Sequence, residues 1–534
     1  MMDLSRRGFL AVVGGALTLG FDVGCGGAQT GVIRHADQTG ELAPNMYVSV
    51  KHDGRIRLMV NKAEFGQGVT AMFATLAAEE LDVPVESVEC VFADSLPQFK
   101  TSSSMQLTGG SSSTKESYLP IRRAAAAARE MLVSAAAHGW SVPASECRTD
   151  AGRVLHDGSR REVGYGELTV KAARLVVPEH PKLKERIQFR QIGKRDHRVD
   201  ARAKVEGTAT FGIDVVVPGM VRALVIHGPV YGASARAIRA DVARSMPGVV
   251  GVFAVEGGIA VVAEKYWQAL AAARHVEIDW TAGEIAGLDS AKMREAAHAF
   301  AGSGGSVRSD GNVDKAMDRA AVKVEAVYDA PYLAHAPMEP QNCTVHVRAD
   351  GVEVWAPCQS PTLVQAFVSE ALGVPQHEIL VHTTYIGGGF GRRIVADWAA
   401  QAARIARSVG RPVQMIWSRE SDMTQAFYRP QCTAHLRGAV SADGSRVSAL
   451  SAHLISQSLA LDADMFIRGV LPGVPHALQS LVANTLAAMV GSNTITDFFV
   501  AEGLDNTPYA IENLTVEFTP IQSRLPISSW RSVG

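Results

Sequence analysis

Three loops in this chain of 534 residues combine bare backbone with polar or cationic side chains. One is GGGFGRR, Gly387 to Arg393, which follows a β-type run and leads into a helical pattern. A second is Glu64-Phe65-Gly66-Gln67-Gly68-Val69-Thr70, between a strand-like and a helix-like segment. The third is Thr108-Gly109-Gly110-Ser111-Ser112-Ser113-Thr114, followed by Lys115 and an alanine-rich run. Glycine reaches backbone dihedrals closed to other residues and lets other groups approach the main chain. Successive N–H groups in such a turn form a concave anion site, and a following helix adds its own first-turn N–H groups. Arg392 and Arg393 would add charge-assisted contacts to phosphate. The bland reading of each loop is a glycine-rich turn, with the arginines solvated. GGGFGRR is not a Walker loop, because the spaced Lys-Ser/Thr is missing, and its glycine spacing differs from the usual dinucleotide fingerprint. Three such loops together suit one elongated ligand with phosphates and many polar edges.

The elements that must position these loops follow from periodicity. Residues 44–62 alternate apolar and polar around His52-Asp53-Gly54, the pattern of a hairpin. Residues 69–82 repeat apolar side chains at helical spacing, and Pro84 closes that region. VESVECVFAD is strand-like, and an alanine-rich helix is expected from about Leu119 to His138. Residues 179–204 are polar and look like a connector. A second unit starts near Gly207, with short strands, a helix over Tyr266 to Arg274 and the strand HVEIDW. Residues 281–313 are rich in Gly, Ser and Ala and are expected to form a surface linker. VKVEAVYDA, NCTVHVRAD and GVEVWAP restore strand patterns. LVQAFVSEALG then reads as a helix, HEILVHTTY as a strand, and Val395 to Val409 as a helix. The fold class is therefore α+β.

Hydrophobic residues at 47% and charged residues at 20% allow several packed domains. A net charge of -2 argues against non-specific nucleic-acid binding, so no nucleic-acid partner is expected. Cys25, Cys90, Cys147, Cys343, Cys358 and Cys432 form no Cys-x-x-Cys pair, so the close thiolate spacing of an iron–sulfur or zinc site is missing. No side chain is assigned as a metal ligand. Ser5-Arg6-Arg7-Gly8-Phe9-Leu10 has the form of a twin-arginine export signal, and the apolar run Phe9 to Phe21 is short for a membrane span. That route moves folded proteins, which suits a protein that traps its cofactor before export. The expected location is the periplasm, with association to the periplasmic face of the inner membrane. Asp22 disfavours a lipid anchor on Cys25.

A longer set of landmarks makes the pattern specific. EFGQGVT, LTGGSSST, FGIDVVVPGM, AVVAEKYWQA, HAPMEPQNCT, VWAPCQSP, GGGFGRR, Trp417 to Met423, Phe427-Tyr428-Arg429-Pro430 and WRSVG occur in this order. Together they resemble the molybdenum-binding large subunits of the xanthine dehydrogenase/aldehyde oxidase family, most of all isoquinoline 1-oxidoreductase beta subunits. The order resembles the rearranged form of that family. It implies a signal at 1–28, molybdopterin-binding segments at 40–178 and 316–534, and a linker at 283–315. An α/β hammerhead domain is implied at 205–282.

The resemblance also implies roles. Gln359 would lie beside the molybdenum oxo group; its amide donates without adding net charge. Gly391 would offer its backbone N–H to an apical ligand, and Phe390 would shape the substrate face. Gly66, Gln67, Gly68, Thr108, Gly109, Gly110 and Ser111 would contact the pterin dinucleotide, as would Gly388, Gly389 and Arg392. Arg531 would stand near the substrate, with Trp530 as a bulky apolar wall. Structural hydrogen bonding is the expected role of His335, Glu339 and Asp422. The implied cofactor is molybdopterin cytosine dinucleotide carrying molybdenum, and the implied reaction oxidises an aldehyde or an N-heterocyclic aromatic with water-derived oxygen. Electrons would leave to an iron–sulfur small subunit with [2Fe–2S] clusters, and in exported relatives onward to a cytochrome c subunit. The family's base is a glutamate in a Gly-Glu motif near the end of the full-length chain. That motif is not found in these residues, so a second polypeptide supplying a C-terminal part is expected, or an incomplete product. A non-catalytic molybdopterin-binding or assembly partner is the main alternative. A periplasmic carbohydrate- or peptide-binding protein is the weaker one.

Overall fold

The computed structural model describes residues 41–101, 105–194, 198–283, 285–300, 302–459, 500–521 and 523–530, and Leu478, Leu481 and Thr485 singly. The export signal, Cys25 and Arg531 lie outside the described residues. The chain divides into two compact units. One runs to Phe211 and takes in Gln359–Thr362 and Leu380–Ile386. The other holds Gly212–Cys358, Leu363–Ile379 and the chain from Gly387. The fold is mixed α/β.

In the first unit, strand Val48–Val50 pairs antiparallel with Ile56–Val60, as the hairpin pattern requires. Ile56–Val60 then pairs parallel with Val88–Phe92. A parallel pair needs a crossover, and the helix Val69–Leu81 makes it. That helix starts after left-handed Gly68 and stops at Asp82, also left-handed at φ 51°. It packs on a long helix, Ser113–Trp140. The long helix begins six residues before the expected start and carries Pro120 within it. Its small buried residues, Ala124 to Ala128 and Ala135 to Ala137, let the two helices approach closely. Phe73, Leu76, Leu81, Ile121, Met131 and Leu132 fill the core between them.

Within the polar connector, residues 190–192 are tied to the helix Val69–Leu81. Glu79 is almost fully buried and accepts N–H bonds from Arg190, Gln191 and Ile192. Glu80 accepts from Arg122 at 2.8 Å and Arg129 at 3.0 Å. Burial alone would raise the Glu79 pKa, but these N–H groups and Lys184 outweigh it and hold it below the ordinary value.

In the second unit, one sheet runs Gly351–Ala356, Asn342–Arg348, Val413–Ile416, Val221–His227, Gly258–Ala263 and Val249–Val255. Gly258–Ala263 is buried at every position, which explains its unbroken run of small and β-branched residues. Helix Tyr266–Ala273 packs on this end of the sheet, and Ala235–Arg239 pairs with Glu277–Trp280 beside it. The helix Asp397–Val409 packs on Asn342–Arg348 and ends at left-handed Gly410. Its N-terminus lies two residues beyond the expected one, because a short turn over Arg392–Ile394 intervenes.

A second sheet runs Gly305–Asp310, Asn513–Ile521, Val447–Gln457, Cys432–Val440 and Val322–Ala330. Its first strand falls inside residues 281–313, where a surface linker was expected, and so does the helix Ser290–His298. The glycines and serines there flank regular elements instead of replacing them. Asp289 caps the helix by accepting from Ala291 and Lys292.

Candidate functional site: two glycine loops and a helix N-terminus

In the first unit the structure joins three of the sequence-predicted parts. Thr108 is the hub. Its N–H donates to the Gln359 carbonyl at 2.8 Å, and the Gln359 side-chain amide donates back to the Thr108 carbonyl at 2.9 Å. The Thr108 hydroxyl accepts from the Ala63 N–H at 2.7 Å, which ties in the loop that carries Gly66 to Gly68. Gln359 and Thr108 are both buried. Lys62 is buried beneath the same loop, bonded to the Leu107 carbonyl and the Glu116 carboxylate.

Beyond Thr108 the chain turns outward. Gly110 and Ser111 are consecutive left-handed residues, at φ 57° and 53°. Both are exposed, and a side chain at Gly110 would meet nothing within 4 Å. The turn opens onto the N-terminus of Ser113–Trp140, whose Ncap residue Ser112 makes no side-chain cap. The Ser112 hydroxyl instead donates to the Gly109 carbonyl. First-turn N–H groups of a long helix, uncapped and beside a glycine turn, suit an anionic ligand.

The Gly66–Gly68 loop is different. Its N–H groups already hold an anion, and that anion is Glu64. Gly66, Gly68 and Thr70 all donate backbone N–H groups to the Glu64 carboxylate, at 2.9, 3.0 and 3.1 Å. Arg198 adds a salt bridge at 2.9 Å. Burial would raise the Glu64 pKa, but the N–H groups and Arg198 prevail and hold it below the ordinary value. Gln67 folds onto its own loop, donating to the Ala63 carbonyl and accepting from the Phe65 N–H. The Gly66 and Gly68 N–H groups, which the sequence reading offered to the dinucleotide, are thus engaged by Glu64.

In the second unit, GGGFGRR closes on its own protein. Gly387 exchanges bonds with Glu339: each backbone N–H meets the other residue, one at the carboxylate (2.8 Å) and one at the carbonyl (3.0 Å). Glu339 also accepts from Ile213 and Asn342. Gly388, Phe390 and Gly391 all have positive φ, and for Phe390, at 55°, that is a strained conformation. Gly391 is irreplaceable here, since a Cβ would sit 1.7 Å from the Ser529 carbonyl oxygen.

Both arginines turn inward, against the expectation of phosphate contacts. Arg392 is fully buried, forks onto Asp397 at 2.7 and 2.9 Å, and lies over the rings of Trp417 and Phe427. Arg393 is fully buried too, and its guanidinium donates to the carbonyls of Gly388, Pro357, Glu339 and Pro340. Carbonyls and carboxylates within the protein offer buried guanidinium groups the partners that solvent would otherwise supply.

Around Gly391 stand His335, Ser528, Ser529 and Trp530. His335 Nε2 bonds the Ser529 carbonyl at 2.9 Å, and its ring lies 4.7 Å from that of Trp530. Burial pushes the His335 imidazole down to about 4, against the pull of the neighbouring backbone of Ser529 and Phe427. It is therefore neutral across physiological pH. His335, Glu339 and Asp422 serve structure, as expected, with Asp422 buried between Gln341 and Arg419. The Glu64–Arg198 and Arg392–Asp397 pairs were not singled out from sequence. For Arg392–Asp397 the only signal was an acid five residues after a base beside a glycine loop, which is common on any surface; Glu64 and Arg198 lie 134 positions apart, and no spacing encodes that pair.

Two sequence profiles, each described as a molybdopterin cofactor-binding domain, match residues 14–217 and 297–469. The chain belongs to the molybdopterin-binding oxidoreductase subunits related to isoquinoline oxidoreductase and the xanthine dehydrogenase/aldehyde oxidase family. It is 32% identical over 529 residues to the beta subunit of isoquinoline 1-oxidoreductase of Brevundimonas diminuta, covering 89% of this chain and 66% of that one. It is 28% identical to a membrane-bound aldehyde dehydrogenase (pyrroloquinoline-quinone) of Gluconacetobacter polyoxogenes, over 84% of this chain and 60% of that one. A nicotinate dehydrogenase subunit of Pseudomonas putida is also 28% identical, over 76% of this chain and 34% of that one. The chain thus spans from one third to two thirds of the length of these relatives.

Proposed function

We propose that this chain is part of a molybdenum hydroxylase large subunit and oxidises an N-heterocyclic aromatic or an aldehyde with water-derived oxygen. The observation that carries the reading is the Gln359–Thr108 double hydrogen bond at the base of an outward glycine turn and an uncapped helix N-terminus. Relatives named for isoquinoline and nicotinate favour a heterocycle, and the one named for aldehydes favours the other class.

The residues of the Thr108 loop suit a pterin dinucleotide, in the cytosine form. Backbone N–H groups of Gly109 to Ser111 and of the helix start would hold its phosphates. Gln359, fixed through its carbonyl and amide, would present a rigid edge towards the metal. Gly66 to Gly68 would hold the loop's shape through Glu64 rather than touch phosphate. Phe390, Gly391 and Arg531 would line the substrate side, and neutral His335 would keep the Gly391 backbone in place. When bound, the molybdenum–pterin group supplies two-electron redox chemistry. Electrons would pass to a [2Fe–2S] small subunit, and from there to a cytochrome c. Residues 205–282 would form the hammerhead domain, and Ser5 to Leu10 would direct export to the periplasm.

The test is elemental and nucleotide analysis of protein purified from a host that makes the cofactor. Molybdenum and cytidine monophosphate in equal, stoichiometric amounts are expected. Finding neither would overturn the reading. Dye reduction by isoquinoline, nicotinate or an aldehyde, with any co-purifying polypeptides present, then separates turnover from simple cofactor holding.

A further inference from the structure

We propose that Val322–Ala330 is a pairing edge through which two copies of this chain join into one continuous sheet. The strand reads VKVEAVYDA. Val322, Val324, Ala326 and Tyr328 share one face, and the other carries Lys323, Glu325 and Asp329. Such alternation ordinarily marks a face that is covered. It does so on Asn513–Ile521 of the same sheet, where Leu514, Val516 and Phe518 are buried. On Val322–Ala330 it does not: Val322 is 45% exposed, Val324 53% and Tyr328 61%. Exposed apolar side chains in a row, rather than singly, mark an interaction surface.

The backbone is open as well. The strand closes one end of its sheet, and among the described residues it pairs with Cys432–Val440 alone. In an antiparallel pair, alternate residues turn their N–H and C=O groups away from the partner. The outer edge therefore offers a row of donors and acceptors, which is a template for a further strand.

The charges on this edge select a second copy, in one register. A two-fold axis through a residue keeps like faces of the two copies together. Through Ala326, Lys323 faces Asp329 of the second copy, Val324 faces Tyr328, Glu325 faces Val327 and Val322 faces Ala330, and the converse pairs repeat beyond the axis. All nine residues of the strand are used. Each end gains an ion pair and an aromatic–β-branched pair, both of which stabilise sheets. An axis through Glu325 would set that acid against itself, and one through Val327 would set Glu325 against Asp329. Like charges directly opposite are destabilising. In the favoured register Glu325 has Arg437 beside it on its own sheet, while Lys323 has uncharged Ala439. Asp329 is held in place by His298 Nε2 at 2.7 Å and the Thr433 hydroxyl at 2.8 Å. One strand against another is a small interface, so the dimer is weak and concentration-dependent.

The test is sedimentation velocity of the full chain across a concentration series. The wild type should pass from monomer to dimer as concentration rises. Lys323→Glu and Asp329→Lys each set like charges opposite one another at both ends, and each should weaken self-association by at least about tenfold. Mixed in equal amounts, the two variants should dimerise again, because every opposed pair then carries opposite charges. A wild type that stays monomeric, or whose added mass is a different polypeptide, would overturn the proposal. So would single variants that dimerise as the wild type does, or a folded mixture that stays monomeric. Should Asp329→Lys fail to fold, oxidative cross-linking of Ala326→Cys decides instead. Ala326 meets itself on the axis, so a disulfide-linked dimer above the wild-type background is expected there and not in Glu325→Cys. Equal linking at both positions, or at neither, overturns the proposal.

Discussion

Glu64 and Glu339 do the same job in different units, with different margins. Each is a buried carboxylate that collects the N–H groups of a glycine-rich loop and faces an arginine. Around Glu64 the glycines keep room: a side chain at Gly66 would meet nothing within 4 Å. Around Glu339 there is none, since a Cβ at Gly387 would sit 2.4 Å from that of Glu339. Arg198 is about one third exposed, whereas Arg393 is fully buried. The first loop is held together by a carboxylate that could still be hydrated if the loop opened. The second is a packed knot whose parts have no alternative partner. Glycine therefore serves two purposes here, turning the chain at Gly66 and yielding space at Gly387 and Gly391.

Glu339→Ala should have the largest effect, because it removes the buried counter-charge of Arg393 and leaves the Ile213 and Gly387 N–H groups without their acceptor. Removing one partner of a buried pair costs about 3–5 kcal/mol, and urea denaturation should show a loss of that size. Gly391→Ala comes next. The Ser529 carbonyl must move, and the left-handed backbone at φ 106° resists a side chain. Overpacking costs about 1–3 kcal/mol and the backbone adds about 1–2 more. A loss under about 1 kcal/mol would mean that the 528–530 segment yields freely.

Glu64→Gln should cost less, about 1–3 kcal/mol, and should change the pH dependence of stability. The Glu64 pKa is held below its ordinary value in the folded state. Its contribution is thus present above the unfolded pKa and is lost as pH falls through the folded one. The wild-type minus variant stability difference should shrink on acidification through the acidic range. A difference that stays constant with pH would show that Glu64 holds the loop by shape alone. Gly66→Ala should be smallest, about 1–2 kcal/mol from left-handed backbone strain with no clash. If it matched Gly391→Ala in thermal melts, the contrast between the loops would fail.

Much of the local structure was legible. The hairpin, the crossover helix, the strand Asn342–Arg348 and the helix Tyr266–Ala273 all sit where periodicity put them. Apolar spacing reports which face is buried, and that information is local. The long helix was legible only in its alanine-rich part, because Pro120 is a breaker by propensity and tertiary packing overrode it. Residues 281–313 were misread because glycine and serine mark boundaries as well as linkers. The link between Thr108 and Gln359 spans 251 positions, and no period or spacing encodes a contact at that distance.

By itself the sequence determined the family, the order of its landmarks and the places where the backbone must turn without a side chain. Those depend on residue type and neighbours, which one dimension contains. Only the tertiary structure decided what each glycine loop faces. Arg392 and Arg393 carry the charge that phosphate would want, yet Asp397 and four carbonyls hold them inside. The N–H groups of Gly66 and Gly68 suit an anion, and Glu64, two to four residues away, supplies it. The turn at Gly110 has no such internal carboxylate among its described hydrogen bonds, and it opens outward. A buried charge takes whichever partner the fold brings within reach, and reach is a property of three dimensions.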